Sequence, residues 1–303
     1  MLSLVEQAAK HGHKTAIVSK GVEYSYIDLF MAARSFAADL LDGIDDLYEV
    51  RVGLMVNPGF EYVQVQWATW LAGGVSVPFN LSHSLSTLTG IIEETKTTII
   101  IVSPEYEALM KDFCKDNNIR LIVMQDLLIF NEAKLPSLDI TRRALILFSN
   151  DNTDLPKGLV FTHQNIKEQI TKRVKEWGWN SEDYTLSILP LHQIEGIINV
   201  VSCALFAGAV CEFRPSSVEN IFESMLQNKQ TVFMATSNIY VDIINYYEKL
   251  PSTYQMSLSN CMNEMRLTVN LSASLPVSFI KKWKTMSGHN LIEIEMNEVG
   301  LDK

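Results

Sequence analysis

Residues 144–162 read ALILFSNDNTDLPKGLVFT, an apolar run, a polar loop and a second apolar run. The first run extends to Leu147 and the second begins at Leu159, which predicts two β-strands joined by the loop. Asn and Asp tolerate left-handed backbone, so the loop is also compatible with an ordinary polar turn. Open α/β sheets bind ligands at loops that follow the carboxyl ends of their strands. The stretch therefore indicates an α/β fold and a first candidate site.

Short β-branched segments alternate with segments of helical periodicity along the rest of the chain. This alternation predicts βαβ units, and therefore an α/β fold of mostly parallel, doubly wound sheets with flanking helices. A Lys20-Gly21 turn predicts one antiparallel hairpin near the N-terminus. The predicted strands are 15–19, 23–26, 51–56, 75–79, 98–103, 120–124, 144–149, 159–162, 185–189, 209–213, 231–235, 266–271 and 291–295; the predicted helices include 26–41, 60–71, 164–177, 217–227, 238–248 and 276–286.

Length and composition predict a globular protein with two subdomains. Of the 303 residues, 47% are hydrophobic and 20% are charged, a balance that supports a sizeable buried core. The segment 126–143 is rich in turn residues and has no clear periodicity, so it is the best internal boundary. We expect a first α/β subdomain over residues 1–135 and a second over residues 136–303.

The net charge of −10 argues against a nucleic-acid partner, because an acidic chain repels a phosphate backbone. The longest apolar run, residues 196–210, is interrupted by polar residues and is too short to span a bilayer. The residues after Met1 lack the basic and apolar regions of a signal peptide. We expect a soluble protein of the mitochondrion or the cytoplasm, without a clear targeting segment.

Four stretches, in order along the chain, resemble the motifs of adenylate-forming (AMP-binding) enzymes, the superfamily that includes the acyl-CoA synthetases. LPKGLVFTH at 155–163 is similar to the second half of the signature loop, which in the family reads roughly Thr-Ser-Gly-Thr-Thr-Gly-x-Pro-Lys-Gly. The other three stretches are LPLHQIEG at 189–196, NLSASLP at 270–276 and EIEMNEVG at 293–300. A further stretch, QWATWLAGGV at 66–75, resembles the malonyl-CoA-synthetase branch.

The resemblance covers nearly the whole chain and implies the N-terminal body of the adenylate-forming fold. Family members continue into a mobile C-terminal lid domain with the catalytic lysine, and that domain is expected to be absent from this chain. In the family, the body binds ATP and Mg²⁺ and activates a carboxylic acid. The branch similarity implies a short carboxylic acid as the ancestral substrate.

The signature loop departs from the family pattern in its charge. By the resemblance, Asp151 and Asp154 stand where the family has glycines, and Asn150 and Asn152 replace hydroxyl residues. A carboxylate about 5 Å from a phosphate charge costs roughly 3 kcal/mol at an effective dielectric constant of about 20, and Lys157 offsets only one such pair. We expect a degenerate nucleotide loop, comprising Ser149, Asn150, Asp151, Asn152, Thr153, Asp154 and Lys157.

The second and third motifs also depart from the family pattern. His192 is kept, but Gln193 stands where the family usually has its second histidine. Glu195 adds an anion beside a pocket that in the family receives a carboxylate and phosphates. Leu271, before Ser272, fills the position of the glycine that lines the adenine pocket, so side-chain atoms would occupy the place of the base.

The fourth motif is similar to the segment that holds Mg²⁺ in the family. Glu298 matches the magnesium-binding glutamate, whereas Glu295 replaces the tyrosine that stacks on adenine, or that tyrosine is lost with a one-residue deletion. A single glutamate does not make a magnesium site without phosphates that share the ion. The resemblance implies a vestigial acyl and adenine pocket, comprising His192, Gln193, Glu195, Leu271, Ser272 and Glu295, and a vestigial metal residue, Glu298.

Three hypotheses about function follow. The first is a catalytically inactive pseudoenzyme that acts through protein–protein contacts as an accessory subunit, without ATP or magnesium as cofactors. The second is a fragment or half of a split acyl-CoA ligase, which would use ATP and Mg²⁺ to adenylate a short acid such as malonate. The third is a binding module that keeps an acyl or CoA pocket near His192, Thr236 and Ser237 without chemistry.

Overall fold

The computed structural model of the chain describes residues 3–124, 134–148, 158–227 and 229–294. Its strands form two sheets, and helices pack against both. The strands are β1 Thr15–Ser19, β2 Val22–Ser25, β3 Arg51–Met55, β4 Val75–Pro78, β5 Ile99–Val102, β6 Arg120–Val123, β7 Arg143–Phe148, β8 Gly158–Thr162, β9 Tyr184–Ser187, β10 Val210–Phe213, β11 Val232–Ala235, β12 Leu267–Asn270 and β13 Ile292–Glu293. The helices are α1 Ser3–Ala9, α2 Tyr26–Leu41, α3 Phe60–Leu71, α4 Leu85–Thr95, α5 Glu107–Asp116, α6 His163–Glu176, α7 Cys203–Ala207, α8 Val218–Leu226, α9 Ser237–Tyr247, α10 Ser252–Asn263 and α11 Val277–Ser287, with a 3₁₀ turn at Pro104–Tyr106 and a π-helix at Glu195–Ser202.

The larger sheet has seven described strands, in the order β13-β12-β11-β9-β10-β1-β2. Paired strands run parallel except β1 and β2, which form the predicted hairpin. At its turn, Lys20 and Gly21 have φ angles of 53° and 78°, as a tight turn between right-twisted strands requires. Because β9, β11 and β12 are parallel, their carboxyl ends meet at one edge of the sheet.

The smaller sheet has six described strands, in the order β6-β5-β3-β4-β7-β8. Its pairs are parallel except β7 and β8, whose antiparallel register places Phe148 opposite Gly158. The two strands predicted on either side of the polar loop at 149–157 are therefore sheet neighbours. The predicted α/β architecture of mostly parallel sheets with flanking helices is confirmed.

The division predicted between residues 135 and 136 does not separate the two sheets. β1 and β2 precede it but belong to the seven-stranded sheet, because β1 pairs with β10, Ile17 opposite Cys211. β7 and β8 follow it but belong to the six-stranded sheet, because Leu145 pairs with Ser76 on β4. Each sheet is thus built from both parts of the sequence. The boundary between subdomains at residue 135 stays a prediction.

Helices α2 and α3 match their predicted bounds because the sequence marks their ends. Ser25 and Asp28 form a capping box at the start of α2, each side chain bonding the backbone of the other. Helix α3 is buried along most of its length and carries Trp67 and Trp70, which are 2% and 1% exposed. The indole N–H of Trp70 donates to the carbonyl of Ala144 at 2.7 Å and so fixes α3 against β7.

The apolar run at 196–210 forms most of the π-helix, then α7 and the start of β10. Sequence periodicity assigned no element to the first part of this run, because the wide turn of a π-helix matches neither the helical nor the strand period. Among the residues that the structure describes, no helix has both the length and the apolarity needed to cross a bilayer.

Candidate ligand site at the carboxyl edge of the seven-stranded sheet

The order of the strands locates a crevice between β9 and β11. The chain leaves β9 toward β10 on one side of it, and leaves β11 toward β12 on the other side. Crossovers that diverge in this way leave a crevice at the carboxyl ends of the two strands, where α/β sheets bind ligands. The loops that follow β9, β11 and β12 contain His192, Ser237 and Ser272, and we call the space between them the switch-point cleft.

The loop after β9 is held close to the start of the π-helix by a backbone contact that requires glycine. A Cβ atom on Gly196 would overlap the carbonyl of Pro190. The hydroxyl of Tyr62, on α3, donates to the carbonyl of Leu191 at 3.0 Å from a buried position. Within the π-helix, the hydroxyl of Ser202 donates to the Ile197 carbonyl at 2.6 Å. These contacts fix the segment that carries His192 and Glu195.

His192 is a neutral group at physiological pH. Burial lowers the pKa of His192 to about 4, and the neighbouring His83 lowers it further as a second cause. Burial also lowers the pKa of His83, whose Nδ1 is buried without a hydrogen-bond partner among the described residues. The imidazole of His192 therefore supplies no positive charge for a carboxylate or a phosphate near pH 7.

Gln193 and Glu195 are half-buried beside His192. Burial raises the pKa of Glu195 above its ordinary value, although its own backbone N–H acts in the opposite direction. The backbone of Gln193 is committed to local structure, its N–H donating to Pro190 O at 3.3 Å and its carbonyl accepting from Ile197 N at 3.1 Å. Whether ionised or neutral, the Glu195 carboxyl supplies no positive charge to an anionic ligand.

A closed hydrogen-bond network links the loops after β11 and β12. The backbone N–H of Ser237 donates to Ser272 Oγ at 2.8 Å, and the Ser237 hydroxyl donates to the carbonyl of Ala273. Asn270 is fully buried; its Nδ2 donates to Ala273 O at 3.1 Å, and its Oδ1 accepts from the Ser272 hydroxyl at 3.2 Å. The polar atoms on this side of the cleft are thus largely satisfied by one another.

Glu293, on β13, closes the same network from the edge of the sheet. Its Oε1 accepts from the backbone N–H of Leu275 at 2.7 Å and lies 3.5 Å from Asn270 Nδ2. Leu271 is 5% exposed, and its backbone N–H donates to Ala235 O at 2.9 Å. Leu271 is therefore packed into the core, and Ser272 contributes a hydroxyl to the network.

Sequence reasoning did not single out Asn270 or Glu293 as members of the site. The signal available was positional, since both are polar residues at the ends of neighbouring parallel strands whose other residues are largely apolar. Asn270 also bonds Ser237 and Glu293, which come from other segments of the chain, so the whole network is not readable from local pattern.

His163, at the end of the signature-loop motif, has a structural environment. Its backbone N–H donates to Arg142 O at 3.0 Å, and its ring meets that of Trp70 edge-on with centroids 5.9 Å apart. Burial lowers the pKa of His163 to about 4, and the charge of Arg142 acts in the same direction. This histidine packs α6 against α3.

The remaining predicted site residues lie outside the described residues. They are Ser149, Asn150, Asp151, Asn152, Thr153, Asp154 and Lys157 of the signature loop, together with Glu295 and Glu298. Among the residues that are described, no group of three or more His, Cys, Asp or Glu side chains is arranged to hold a metal ion.

Comparison with known proteins identifies related sequences over almost the whole chain. The family described as AMP-binding enzyme matches residues 4–294. The mitochondrial malonate–CoA ligase ACSF3 of Homo sapiens is 31% identical over 97% of this chain and 54% of its own length. The Bos taurus protein of the same name is 29% identical over the same shares of both chains. The chain spans about half the length of these curated relatives.

Solved structures share the fold at low sequence identity. Apo MatB from Rhodopseudomonas palustris superposes with a TM-score of 0.83 at 21% identity, covering 97% of this chain and 60% of that one. The anthranilate CoA ligase AuaEII, in complex with anthranoyl-AMP, gives a TM-score of 0.82 at 18% identity, covering 96% and 58%. Both likenesses concern the fold, and they agree with the architecture expected from the sequence motifs.

Proposed function

The chain belongs to the AMP-binding enzyme family, and from that premise we propose that it is a catalytically inactive, acyl-CoA-synthetase-like protein. In this proposal it acts through contacts with other proteins, as an accessory subunit of a larger assembly, and uses neither ATP nor magnesium. The charge of the switch-point cleft is the observation that carries the proposal.

The described loops around the cleft contain no cation. Residues 188–194, 236 and 271–276 include neither Lys nor Arg, while Glu195 and Glu293 are acidic. His192 is neutral because its pKa is lowered to about 4, with burial as the main cause. A nucleotide triphosphate and a carboxylate substrate are both anionic, and their binding depends on compensating positive charge. The cleft does not suit these ligands.

The sequence of the signature loop supports the same proposal. Asp151 and Asp154 add two carboxylates to the loop that in the family wraps the triphosphate, and Lys157 is its single cation. Each carboxylate placed about 5 Å from a phosphate charge costs roughly 3 kcal/mol at an effective dielectric constant of about 20.

The polar side of the cleft is a further obstacle to a nucleotide. A base or ribose binds by hydrogen bonds to free donors and acceptors, but Ser237, Asn270 and Ser272 already bond to one another. A nucleotide would have to break these hydrogen bonds before it formed its own. Because the bonds lost and the bonds formed are similar in strength, the exchange adds little binding free energy. Leu271 is buried beside this network and fills volume.

The proposed lack of catalysis is tested by ATP–pyrophosphate exchange with the purified chain. We expect no exchange above a heat-denatured control when malonate, acetate or another short carboxylic acid is supplied with Mg²⁺ and ATP. Exchange that depends on the carboxylate would contradict the proposal and favour the alternative, an acyl-CoA ligase fragment. The names of the malonate–CoA ligases among its relatives make malonate the first substrate to test.

The proposed role in an assembly needs a separate measurement. Native extract is fractionated by size, and the chain is purified from each fraction with its bound proteins. We expect one other protein to co-purify at a fixed stoichiometry through two further columns. Elution of all the material at the size of the 34.2 kDa chain would contradict the proposed role as a subunit.

We further propose that the protein works in the mitochondrion or the cytoplasm, in the context of fatty-acid metabolism. The mitochondrial relatives support the first of these compartments. Microscopy of the fluorescently tagged full-length protein against mitochondrial and cytoplasmic markers tests this assignment, and a nuclear or secreted signal would contradict it.

A further inference from the structure

A cavity lies apart from the switch-point cleft. It measures about 580 Å³, within the range of small-molecule sites. It lies between the carboxyl ends of β1 and β10 and the loop from β3 into α3, and none of its lining residues belongs to the family motifs. The lining residues are Val18, Ser19, Lys20, Gly21, Asn57, Pro58, Glu212, Phe213, Arg214, Pro215 and Asn220.

The cavity borders the switch point of the six-stranded sheet through Asn57 and Pro58. The chain leaves β3 toward β4 on one side, and leaves β5 toward β6 on the other. The crevice between β3 and β5 is therefore the place where this sheet would bind a ligand. Asn57 and Pro58 follow β3, and the Asn57 backbone N–H donates to Ser103 Oγ, after β5, at 3.0 Å. The cavity thus lies beside this crevice, between it and the carboxyl ends of β1 and β10.

Ser19 provides an unused hydrogen-bonding group in the wall of the cavity. The residue is 3% exposed, yet no hydrogen bond joins its hydroxyl to another described residue. Because Ser19 lines the cavity, its hydroxyl can bond a ligand there in place of water. Its oxygen is directed toward the start of α3, because a Cβ on Gly59 would lie 2.8 Å from Ser19 Oγ.

The N-terminus of α3 faces the same hydroxyl without a side-chain cap. Gly59 occupies the cap position, so no side chain bonds the first N–H groups of this 12-residue helix. Uncapped N–H groups and the helix dipole together attract an anion. The carboxylate of Glu61 lies close to this helix N-terminus. Its Oε2 would be 3.1 Å from a Cβ atom built on Gly59, and its Oε1 is 3.6 Å from Lys20 Nζ.

The two cations of the cavity, Arg214 and Lys20, differ in how far neighbouring carboxylates neutralise their charge. Arg214 is held by the buried Glu212, with Nε donating to Oε1 at 2.5 Å, and by Glu223 at 3.4 Å. Its charge is therefore already compensated. The Lys20 side chain is 75% exposed, and among the described residues its one carboxylate partner is Glu61 at 3.6 Å, so its charge is available when a ligand displaces Glu61. Phe213, Pro215 and Pro58 supply an apolar wall next to these groups.

We propose that this cavity binds a small molecule in which an oxyanion, phosphate or carboxylate, is attached to an apolar body. The oxyanion replaces the Glu61 carboxylate at the N-terminus of α3 and accepts hydrogen bonds from Ser19 and Lys20. The apolar body lies against Phe213 and Pro215. The proposal is independent of the absence of catalysis, since it involves no residue of the switch-point cleft.

Four probes separate the parts of the proposed ligand in calorimetric titrations of the whole chain. Phenyl phosphate and phenylacetate carry an oxyanion on an apolar body, inorganic phosphate carries the anion alone, and benzyl alcohol carries the body alone. We expect phenyl phosphate or phenylacetate to bind with a Kd about tenfold lower than that of inorganic phosphate and that of benzyl alcohol. The reason is that burial of the ring adds binding free energy to the contacts of the anion. The tighter of the two identifies the oxyanion as phosphate or carboxylate.

Three variants assign that binding to the cavity. Ser19→Ala should weaken it about fivefold while leaving the stability of the free protein equal or higher, since the lost hydroxyl has no partner there. Lys20→Gln should weaken it about threefold, and Glu61→Gln should strengthen it, a gain that a folding defect does not produce. Lys172→Gln, which removes an exposed cation on α6, is the matched control and should have no effect.

Two outcomes would overturn the proposal. One is the absence of binding by both phenyl phosphate and phenylacetate at concentrations up to about 10 mM. The other is binding that is unchanged in Ser19→Ala, Lys20→Gln and Glu61→Gln, which would place the ligand elsewhere. ATP–pyrophosphate exchange has no bearing on either outcome, so the two proposals fail separately.

Discussion

In the proposed function, single residues determine which ligands the switch-point cleft can accept. The cleft has the position of an α/β ligand site, but its described side chains are acidic, neutral or already bonded to one another. In the adjoining signature loop, two aspartates stand where the family resemblance expects glycines. The proposed function therefore attributes the loss of nucleotide binding to a few substitutions in a fold that is otherwise kept.

The double substitution Asp151→Gly and Asp154→Gly should restore part of any nucleotide affinity. It removes two negative charges and allows the backbone to approach a phosphate, so we expect at least a tenfold tighter Kd for MgATP, measured by calorimetry. Asp42→Gly with Asp45→Gly removes the same charge from an exposed loop and is the control. Equal changes in both double variants would show a general charge effect and contradict the prediction.

Gly196→Ala should destabilise the protein by about 1–3 kcal/mol, because the new methyl group overlaps the Pro190 carbonyl. Urea unfolding measures the change. Gly90→Ala is the matched control: a Cβ at Gly90 meets nothing within 4 Å inside α4, so this substitution should stabilise by roughly 0.5–1 kcal/mol. A neutral Gly196→Ala would show that the loop after β9 can shift away from the π-helix.

At the scale of elements, β9, β11 and β12 are joined by side-chain contacts at their amino ends, which lie away from the cleft. Asp183, which precedes β9, is 2% exposed and accepts from Arg266 at 2.7 and 2.5 Å and from Thr231 at 2.8 Å. Arg266 precedes β12 and Thr231 precedes β11. This ion pair and the Thr231 hydrogen bond therefore join β9 to β11 and β12. They supplement the β9–β11 pairing, which has a single described register pair, whereas β11 and β12 share four.

Asp183→Asn should cost about 1.5–3 kcal/mol, because it removes the buried carboxylate that accepts hydrogen bonds from the Arg266 guanidinium and Thr231. The expected result is a clear fall in Tm, since the three strands lose their common anchor. Glu182→Gln changes a neighbouring carboxyl group whose side chain is 89% exposed, and should leave Tm unchanged. Similar Tm values for the two variants would contradict the anchoring role.

At the scale of the whole molecule, the two sheets share one large hydrophobic core that also includes α2, α3, α6 and the π-helix. Histidines enter this core as neutral groups. His163 and His192 have pKa values lowered to about 4, chiefly by burial. These two histidines are therefore harder to protonate in the folded protein than in the unfolded chain.

Stability should fall on acidification between about pH 6.5 and pH 4. In that range the unfolded chain binds protons on these histidines and the folded chain does not, so folding becomes less favourable as pH decreases. His163→Gln should reduce the loss by an amount on the order of 1–3 kcal/mol, measured as urea unfolding at pH 7.5 and pH 4.5. His13→Gln, at an exposed position, is the control. An identical pH dependence in wild type and His163→Gln would contradict the prediction.

Much of the fold could be predicted because the signals are local. Helices α2 and α3 were predicted at their observed bounds, and every predicted strand overlaps an observed one, because capping residues, glycines and apolar periodicity act between near neighbours. The motifs around His192 and Ser272 were predicted at strand ends and lie there. The sheet partners were not predictable, since β1 pairs with β10 across most of the chain.

The amino-acid sequence by itself determined the class of fold, the elements and the acidic character of the signature loop, because those depend on residue type and short-range spacing. Only the tertiary structure decided that Ser237, Asn270 and Glu293 form one network, that Asp183 anchors Arg266, and that Ser19 lies next to Gly59. These groups meet because distant strands pair in one particular order. That order is selected by the packing of the whole core, and no local pattern encodes it.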